Sequence, residues 1–190
     1  MGDTSLTADY FEHIYASSSD PWQFETSDYE ARKYADTLAK LGDAHFERAL
    51  EIGCSIGVLT ALLAERCKEL VSVDINARAL ASAAKRCKDR PSVRFAQMTV
   101  PQEMPAGPFD LVMLSEVGYY WSDADLALAR SRIAEYGAGT IVELVHFLPR
   151  VREYKRDGDA VHAAFRIDAR YEIVRSSRAD RYRIDVLRVR

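Results

Sequence analysis

Apolar positions recur along this chain with two alternating periods. Short apolar runs of strand length occupy residues 48–52, 70–73, 93–96, 109–114 and 140–147. The run at 109–114 is broken only by Asp110, the pattern of a parallel strand buried on both faces. Between these runs the spacing becomes helical. Leu59, Leu62 and Leu63 share a face of a predicted helix over 58–67. Residues 77–87 form an alanine-rich helix, and Leu126, Ala129 and Ile133 point one way from a helix over 124–136. Upstream, residues 4–16 predict a short helix, and residues 17–21 a turn, because Pro21 disfavours helix at Asp20. Ser27 with Glu30 three residues on reads as a capping box opening a helix over 29–41, with Tyr34, Leu38 and Leu41 inward and Gly42 as C-cap. Pro101, Pro105, Gly107 and Pro108 mark a loop. Near the end, residues 151–165 predict a helix interrupted at Gly158. Strands at 171–176 and 181–189 follow, joined by a turn at 177–180.

The order is a leading helix, five β-α units and a closing hairpin. That alternation predicts an α/β fold: a doubly wound, mostly parallel seven-stranded sheet with a C-terminal antiparallel hairpin. Residues 1–42 are read as an N-terminal helical lid and residues 43–190 as the core.

The 190 residues are 48% hydrophobic and 29% charged, which suits one globular domain and excludes global disorder. A net charge of -3 speaks against a dedicated nucleic-acid partner. The charge is unevenly spread: residues 1–149 carry 14 basic and 22 acidic residues, residues 150–190 carry 12 and 7. Arg181 and Arg183 alternate with Tyr182 and Ile184 and read as a solvated strand face. No signal peptide or membrane-spanning run is visible. Cys54, Cys67 and Cys87 lack CxxC spacing and read as free thiols of a cytoplasmic protein. The four histidines and three cysteines contain no close ligand pair, so no metal is expected.

The turn Glu-Ile-Gly-Cys-Ser-Ile-Gly, Glu51 to Gly57, carries the most chemistry. It reads as strand, glycine turn and helix. Gly53 and Gly57 let a ligand approach the backbone, and the following helix presents free N–H groups. Gly53-x-Ser55-x-Gly57 also matches the nucleophile elbow of serine hydrolases, for which Asp110 and His146 supply an Asp and a His. Against this, a single strand precedes Ser55. The dinucleotide fingerprint fails at Ser55 and lacks its third glycine.

Motif I of class I S-adenosylmethionine (SAM) methyltransferases, E-x-G-x-G-x-G, is the better match. This turn resembles it at Glu51, Gly53 and Gly57, with Ser55 in place of the middle glycine. Asp74, 21 residues after Gly53, stands at a strand end where a carboxylate can accept a ribose diol; as an alternative it caps the next helix. The resemblance implies a Rossmann-like methyltransferase fold, SAM as cofactor and S-adenosylhomocysteine as product. It further implies a cofactor site of Glu51, Gly53, Cys54, Ser55, Gly57, Asp74, Ile75 and Ser115. Lys33 or Tyr29 would close over the methionine end, with Trp22 nearby. The family's acidic residue after the third strand is missing here. Gln97 or backbone would meet the adenine amino group, and Met98 would lie on the ring or pack in the core.

Three stretches together, residues 20–34, 54–60 and 114–120, resemble the nodulation-factor N-methyltransferase family (NodS). The resemblance implies methylation of the free amine of a de-N-acetylated chitooligosaccharide. Trp22, Tyr119, Tyr120 and Trp121 offer flat apolar faces for sugar rings. Glu116 is the first candidate to hold or deprotonate the amine, His146 the second, with Tyr119 orienting it. Glu143, inside the fifth strand, is expected to be paired internally. The expected partner is a small-molecule or oligosaccharide acceptor, with the chain a monomer or weak homo-oligomer. Alternatives are another small acceptor, a non-catalytic SAM-binding protein, or a hydrolase.

Overall fold

The computed structural model describes residues 4–190. The chain opens with two helices, α1 (Ala8–Ser17) and α2 (Asp28–Lys40). It continues through β1 (Phe46–Ile52), α3 (Val58–Leu63), β2 (Cys67–Asp74), α4 (Ala77–Arg86), β3 (Val93–Gln97) and β4 (Leu111–Ser115). Next come α5 (Asp123–Ala134), β5 (Ile141–Phe147), α6 (Gly158–Arg166), β6 (Tyr171–Arg178) and β7 (Tyr182–Val189). The seven strands form one sheet in the order β3-β2-β1-β4-β5-β7-β6. The first five in that row run parallel, and β7 is antiparallel to both β5 and β6. The predicted sheet and hairpin are therefore present, with the hairpin's second strand inserted next to β5.

Local chemistry explains most boundaries. Side chains of Ser27, Asn76, Ser122 and Asp157 each accept a backbone N–H in the first turn of α2, α4, α5 and α6. Leu126, Ala129 and Ile133 are the buried face of α5, as their spacing predicts. Leu111–Leu114 of β4 are apolar and buried, as suits a strand with a parallel neighbour on each side.

Several expectations need correction. The helix after the glycine turn stops at Leu63; a single 3-10 turn (Ala64–Arg66) follows, and Cys67 already belongs to β2. Leu62 is accordingly exposed while Leu59 and Leu63, one turn apart, are buried. No helix joins β3 to β4, so the third β-α unit lacks its helix among the described residues. The last helix begins at Gly158; residues 151–157 are turns. Asp110 precedes β4, and its carboxylate accepts from the backbone N of Glu47 and Arg48, fixing the opposite end of the sheet. Glu143 is fully buried, and among the described residues neither of its oxygens has a hydrogen-bond partner. Its expected partner is absent because the flanking strands place Met113 and Val186 beside it.

Candidate active site

Strand order reverses between β1 and β4, and ligands of open α/β sheets bind beyond the carboxyl ends at such a point. A cavity of about 480 Å³ opens there, within the usual range for small-molecule sites. Residues of both leading helices, including Tyr15 and Lys33, help to line it.

The two turns that form its floor touch. Gly53 has φ +78°, and a Cβ on it would stand 2.1 Å from Cγ2 of Val117. The turn after β1 therefore lies directly against the turn after β4. Gly57 serves another purpose and does not line the cavity: a Cβ there would meet Ala83 at 2.8 Å, so it lets α3 approach α4. The donors of the turn itself, as distinct from those at the start of α3, are used within the fold. Gly53 N and Cys54 N both donate to Val73 O, at 2.8 and 3.1 Å, and Gly57 N donates to Cys54 O at 2.9 Å. Ser55 N donates to Oδ2 of Asp74 at 2.8 Å. With those donors spent inside the fold, the turn is unsuited to a phosphate.

Acidic groups face the cavity instead. Asp74 is buried; besides Ser55 N it accepts Asn76 N on Oδ1 at 2.8 Å. Burial raises its pKa, and the backbone donors oppose that rise. A backbone hydrogen bond from Ile75 also reaches the carboxylate, which still has acceptor capacity for a ligand hydroxyl. Glu51 accepts from Thr60 Oγ1 at 2.6 Å and Ser72 Oγ at 2.7 Å, and burial pushes its carboxyl up to about 7. Cys54, Ser55, Ile75, Met98 and Ser115 line the same end. Trp22 does too, packed between Tyr15 and Phe24 beside the glycine turn, so it belongs to this end rather than to the Tyr119–Trp121 run. Gln97 does not line the cavity, because its amide donates to Ile75 O at 3.0 Å.

At the other end Glu116 takes a left-handed φ of +60°, and its N donates to Val145 O at 2.8 Å. That bend turns its carboxylate over the end of β5. Three donors converge on it: Lys33 Nζ on Oε1 at 2.5 Å, and Tyr119 Oη at 2.5 Å and Phe147 N at 2.9 Å on Oε2. Lys33 is only 2% exposed and also pairs with Glu30. Burial alone would lower the Lys33 pKa, but the charges of Glu116 and Glu30 outweigh it and hold the ammonium above its ordinary value. Burial, then Glu116, pushes the Tyr119 phenol well above its usual range, so it stays neutral. Tyr119 stacks on Tyr154, with centroids 4.7 Å apart, and Tyr120 packs edge-on to both. Trp121 touches the cavity but is mostly core.

His146 is corrected as a catalytic candidate. It is fully buried and outside the cavity lining. Its Nε2 lies 3.1 Å from Gly118 N, and its Nδ1 lies 3.3 Å from His162 Nε2. His162 Nδ1 in turn lies 2.8 Å from Asp185. The Gly118 N–H is a fixed donor, so His146 Nε2 accepts, Nδ1–H donates to His162, and His162 Nδ1–H donates to Asp185. The hydrolase reading fails on the same geometry. Ser55 Oγ meets Tyr15 Oη at 2.5 Å, His146 is committed elsewhere, and Asp110 sits at the far end of the sheet.

Glu30, Tyr15, Tyr154 and Arg181 belong to this site and were not expected there. Glu30 was read as a cap. Ser27 Oγ does accept its N at 3.4 Å, but its carboxylate pairs with Lys33 instead of completing the box. The i,i+3 spacing of Glu30 and Lys33 was the available signal. Arg181 precedes β7 and is exposed, as expected, while its guanidinium also lies over Tyr29 and Phe147 at the rim of the cavity.

Sheet order, glycine turn and cavity together define a chain with the Rossmann-like fold of methyltransferases. More particularly, it belongs to the nodulation protein S (NodS) family, whose model matches residues 9–145. It is 31% identical over 112 residues to nodulation protein S of Sinorhizobium fredii, a match covering 58% of this chain and 52% of that protein. The chain thus spans about half the length of the curated relatives it matches. Its fold superposes on N-methyltransferase NodS from Bradyrhizobium japonicum in complex with S-adenosyl-L-homocysteine. The TM-score is 0.85 at 22% identity, covering 96% of this chain and 97% of that one. A putative methyltransferase from Pseudomonas syringae superposes with a TM-score of 0.74 at 32% identity, covering 84% and 98%. No described helix is long and apolar enough to cross a membrane.

Proposed function

We propose that this chain is a SAM-dependent N-methyltransferase whose acceptor is the free amine of a de-N-acetylated chitooligosaccharide. One observation carries the reading: the Gly53 turn and the Glu116–Tyr119 turn touch, so one cavity joins an acidic ligand end to a carboxylate–phenol end.

The residues fit the cofactor. The donor set suits a cation: Glu51 and Asp74 face the cavity, and the glycine turn has spent its N–H groups. Asp74 would accept the ribose diol through its remaining acceptor capacity, while Ile75 and Met98 flank the base. SAM supplies an electrophilic methyl group on a sulfonium. The α1–α2 segment, through Tyr15, Trp22, Tyr29 and Lys33, would form the lid that excludes water.

The acceptor amine must attack as the free base and in line. Alignment of this kind supplies on the order of 7–11 kcal/mol of a barrier. Tyr119 donates to Glu116, so its oxygen remains an acceptor for an amine N–H. Glu116 already takes three donors and keeps one Oε1 lone pair. We assign it to holding the amine rather than removing its proton, one of the two roles open to it from the sequence. Tyr120 and Tyr154 would face the sugar ring. The family name supports the sugar acceptor, as does this aromatic wall.

Mass spectrometry of a deacetylated chitooligosaccharide incubated with SAM tests the proposal. A single added methyl on the terminal amine is expected. Turnover of other amines but not this one would remove the acceptor and keep the reaction class.

A further inference from the structure

The turn that carries Tyr119 rests on His146. Gly118 N, one residue before Tyr119, donates to His146 Nε2 at 3.1 Å. The Tyr119 ring packs edge-on against the imidazole, with centroids 5.4 Å apart. A Cβ on Gly118 would stand 2.5 Å from Cγ1 of Val161 and 3.1 Å from His146 Nε2, so glycine lets the turn settle on α6 and on the imidazole. On its other side the Tyr119 carbonyl accepts from Lys155 N at 3.0 Å. Tyr119 Oη donates to Glu116, and these two groups form the proposed amine contact. His146 supports that contact from outside the cavity lining.

The state of that imidazole is set from a distance. His146, His162 and Asp185 are all fully buried. Burial alone would raise the Asp185 carboxyl, but hydrogen bonds from His162 and Ser176 and the charge of Arg183 hold it below the usual range. An ionised carboxylate only accepts, so His162 Nδ1 carries its proton toward Asp185. The bare Nε2 of His162 then receives the Nδ1–H of His146, which leaves His146 Nε2 bare beneath Gly118. Both ends of the relay therefore enforce one tautomer. The reverse tautomer would aim an Nε2–H at the Gly118 N–H, and the turn would have to move, carrying Tyr119 with it.

Resting on the N-methylation reading, we propose that His146 is a positioning residue for methyl transfer: through the tautomer that Asp185 imposes, it holds the Gly118 turn so that Tyr119 meets the acceptor amine. A misplacement of about 1 Å near reacting groups costs on the order of 100-fold in rate. Asp74 and the glycine turn make no contact with the relay, so the effect falls on turnover and not on cofactor binding. Asp185→Asn isolates this role. Oδ1 of Asp185 takes Ser176 Oγ at 2.6 Å, Arg166 at 3.2 Å and Arg183 Nε at 3.4 Å. Those donors keep the new amide oxygen on their side, so its NH2 faces His162. His162 Nδ1 must then accept, its Nε2–H donates to His146 Nδ1, and the His146 proton moves to Nε2.

The test compares the full-length wild type with Asp185→Asn, His146→Gln and His146→Leu. Each is assayed with SAM and a deacetylated chitooligosaccharide, its folded fraction is read by circular dichroism, and its histidine tautomers by nitrogen NMR. Asp185→Asn should lose about 10- to 100-fold in kcat per folded molecule, with KM for SAM and affinity for S-adenosylhomocysteine as in the wild type. Its bare His146 nitrogen should move from Nε2 to Nδ1. His146→Leu should lose kcat similarly, whereas His146→Gln offers Gly118 an amide oxygen and should recover most of it. A folded Asp185→Asn that keeps the wild-type tautomer or the wild-type kcat overturns the proposal. So does equal kcat in the Leu and Gln variants. A proton on His146 Nε2 in the wild type also overturns it, and that measurement needs no variant to fold. A wild type that methylates no amine removes the N-methylation reading and this role with it. A wild type that methylates the sugar amine beside an undiminished Asp185→Asn removes the role alone.

Discussion

The ammonium of Lys33 lies 2.5 Å from Oε1 of Glu116 and ties α2 to the end of β4. The two residues are far apart in sequence, and their ion pair joins the leading helices to the acceptor end of the cavity. Removing one partner of a buried pair leaves the other charge without compensation, which costs about 3–5 kcal/mol. Lys33→Met should lose about that much in urea denaturation and should lose methyl transfer. The double variant Lys33→Met/Glu30→Gln should recover part of the stability. The folded pKa of Lys33 lies above its ordinary value, so the pair's contribution is complete below about pH 10.4 and fades as pH rises through the folded value. A wild-type advantage that shrinks on going from pH 6 to pH 8 would contradict this.

The His146–His162–Asp185 relay should set the acid limb of stability. Burial lowers the pKa of both histidines, so each stays neutral when folded and takes up a proton on unfolding. Stability from this source is complete above about pH 6.5 and is lost as pH falls below it. His146→Leu strands the Gly118 N–H and His162 Nε2, at about 1–3 kcal/mol for each buried group. His146→Gln can both accept and donate and should restore much of that loss. Chemical denaturation between pH 5 and pH 8 reads both effects; equal stability of the Leu and Gln variants would discount the relay.

Asp74→Ala should weaken SAM binding by about tenfold or more, since it removes a charged acceptor for two hydroxyls and frees the Ser55 and Asn76 N–H groups. Unchanged affinity in a calorimetric titration would refute the ribose role.

Glu143 should be replaceable at a gain. Burial raises its pKa well above the usual carboxyl value, so folding is opposed increasingly as pH rises past about 4.3. Glu143→Met should therefore stabilise the protein, and by more at pH 8 than at pH 5. A variant less stable than wild type at pH 8 would show that the carboxyl has a partner in solution.

Much of the fold was legible because its signals are local. Strand runs, helical spacing and the cap at Ser27 depend on neighbours within a few residues. Errors arose where a local pattern met a non-local constraint. Residues 64–67 could extend a helix, but pairing of Cys67 with Phe46 starts β2 there and leaves Ala64–Arg66 only a 3-10 turn. Glu30 has capping spacing, but Lys33 captures its carboxylate. Gly57 looks like a ligand contact, and it is the approach of Ala83 that requires a glycine there.

The sequence by itself determined the class of sheet, the glycine turn, the acid at the end of β2 and the polar aromatic run after β4. These follow from periodicity and from short motifs whose geometry the chain carries with it. Only the tertiary structure decided which charges meet. Lys33, Glu30 and Glu116 converge because α2 crosses the end of β4, and His146 is withdrawn from the cavity because α6 brings His162 beneath it. Arg181 reaches the rim of the cavity because insertion of β7 beside β5 places the start of β7 next to Phe147. Ion pairing and burial depend on distances between segments remote in sequence, and no local pattern encodes those distances.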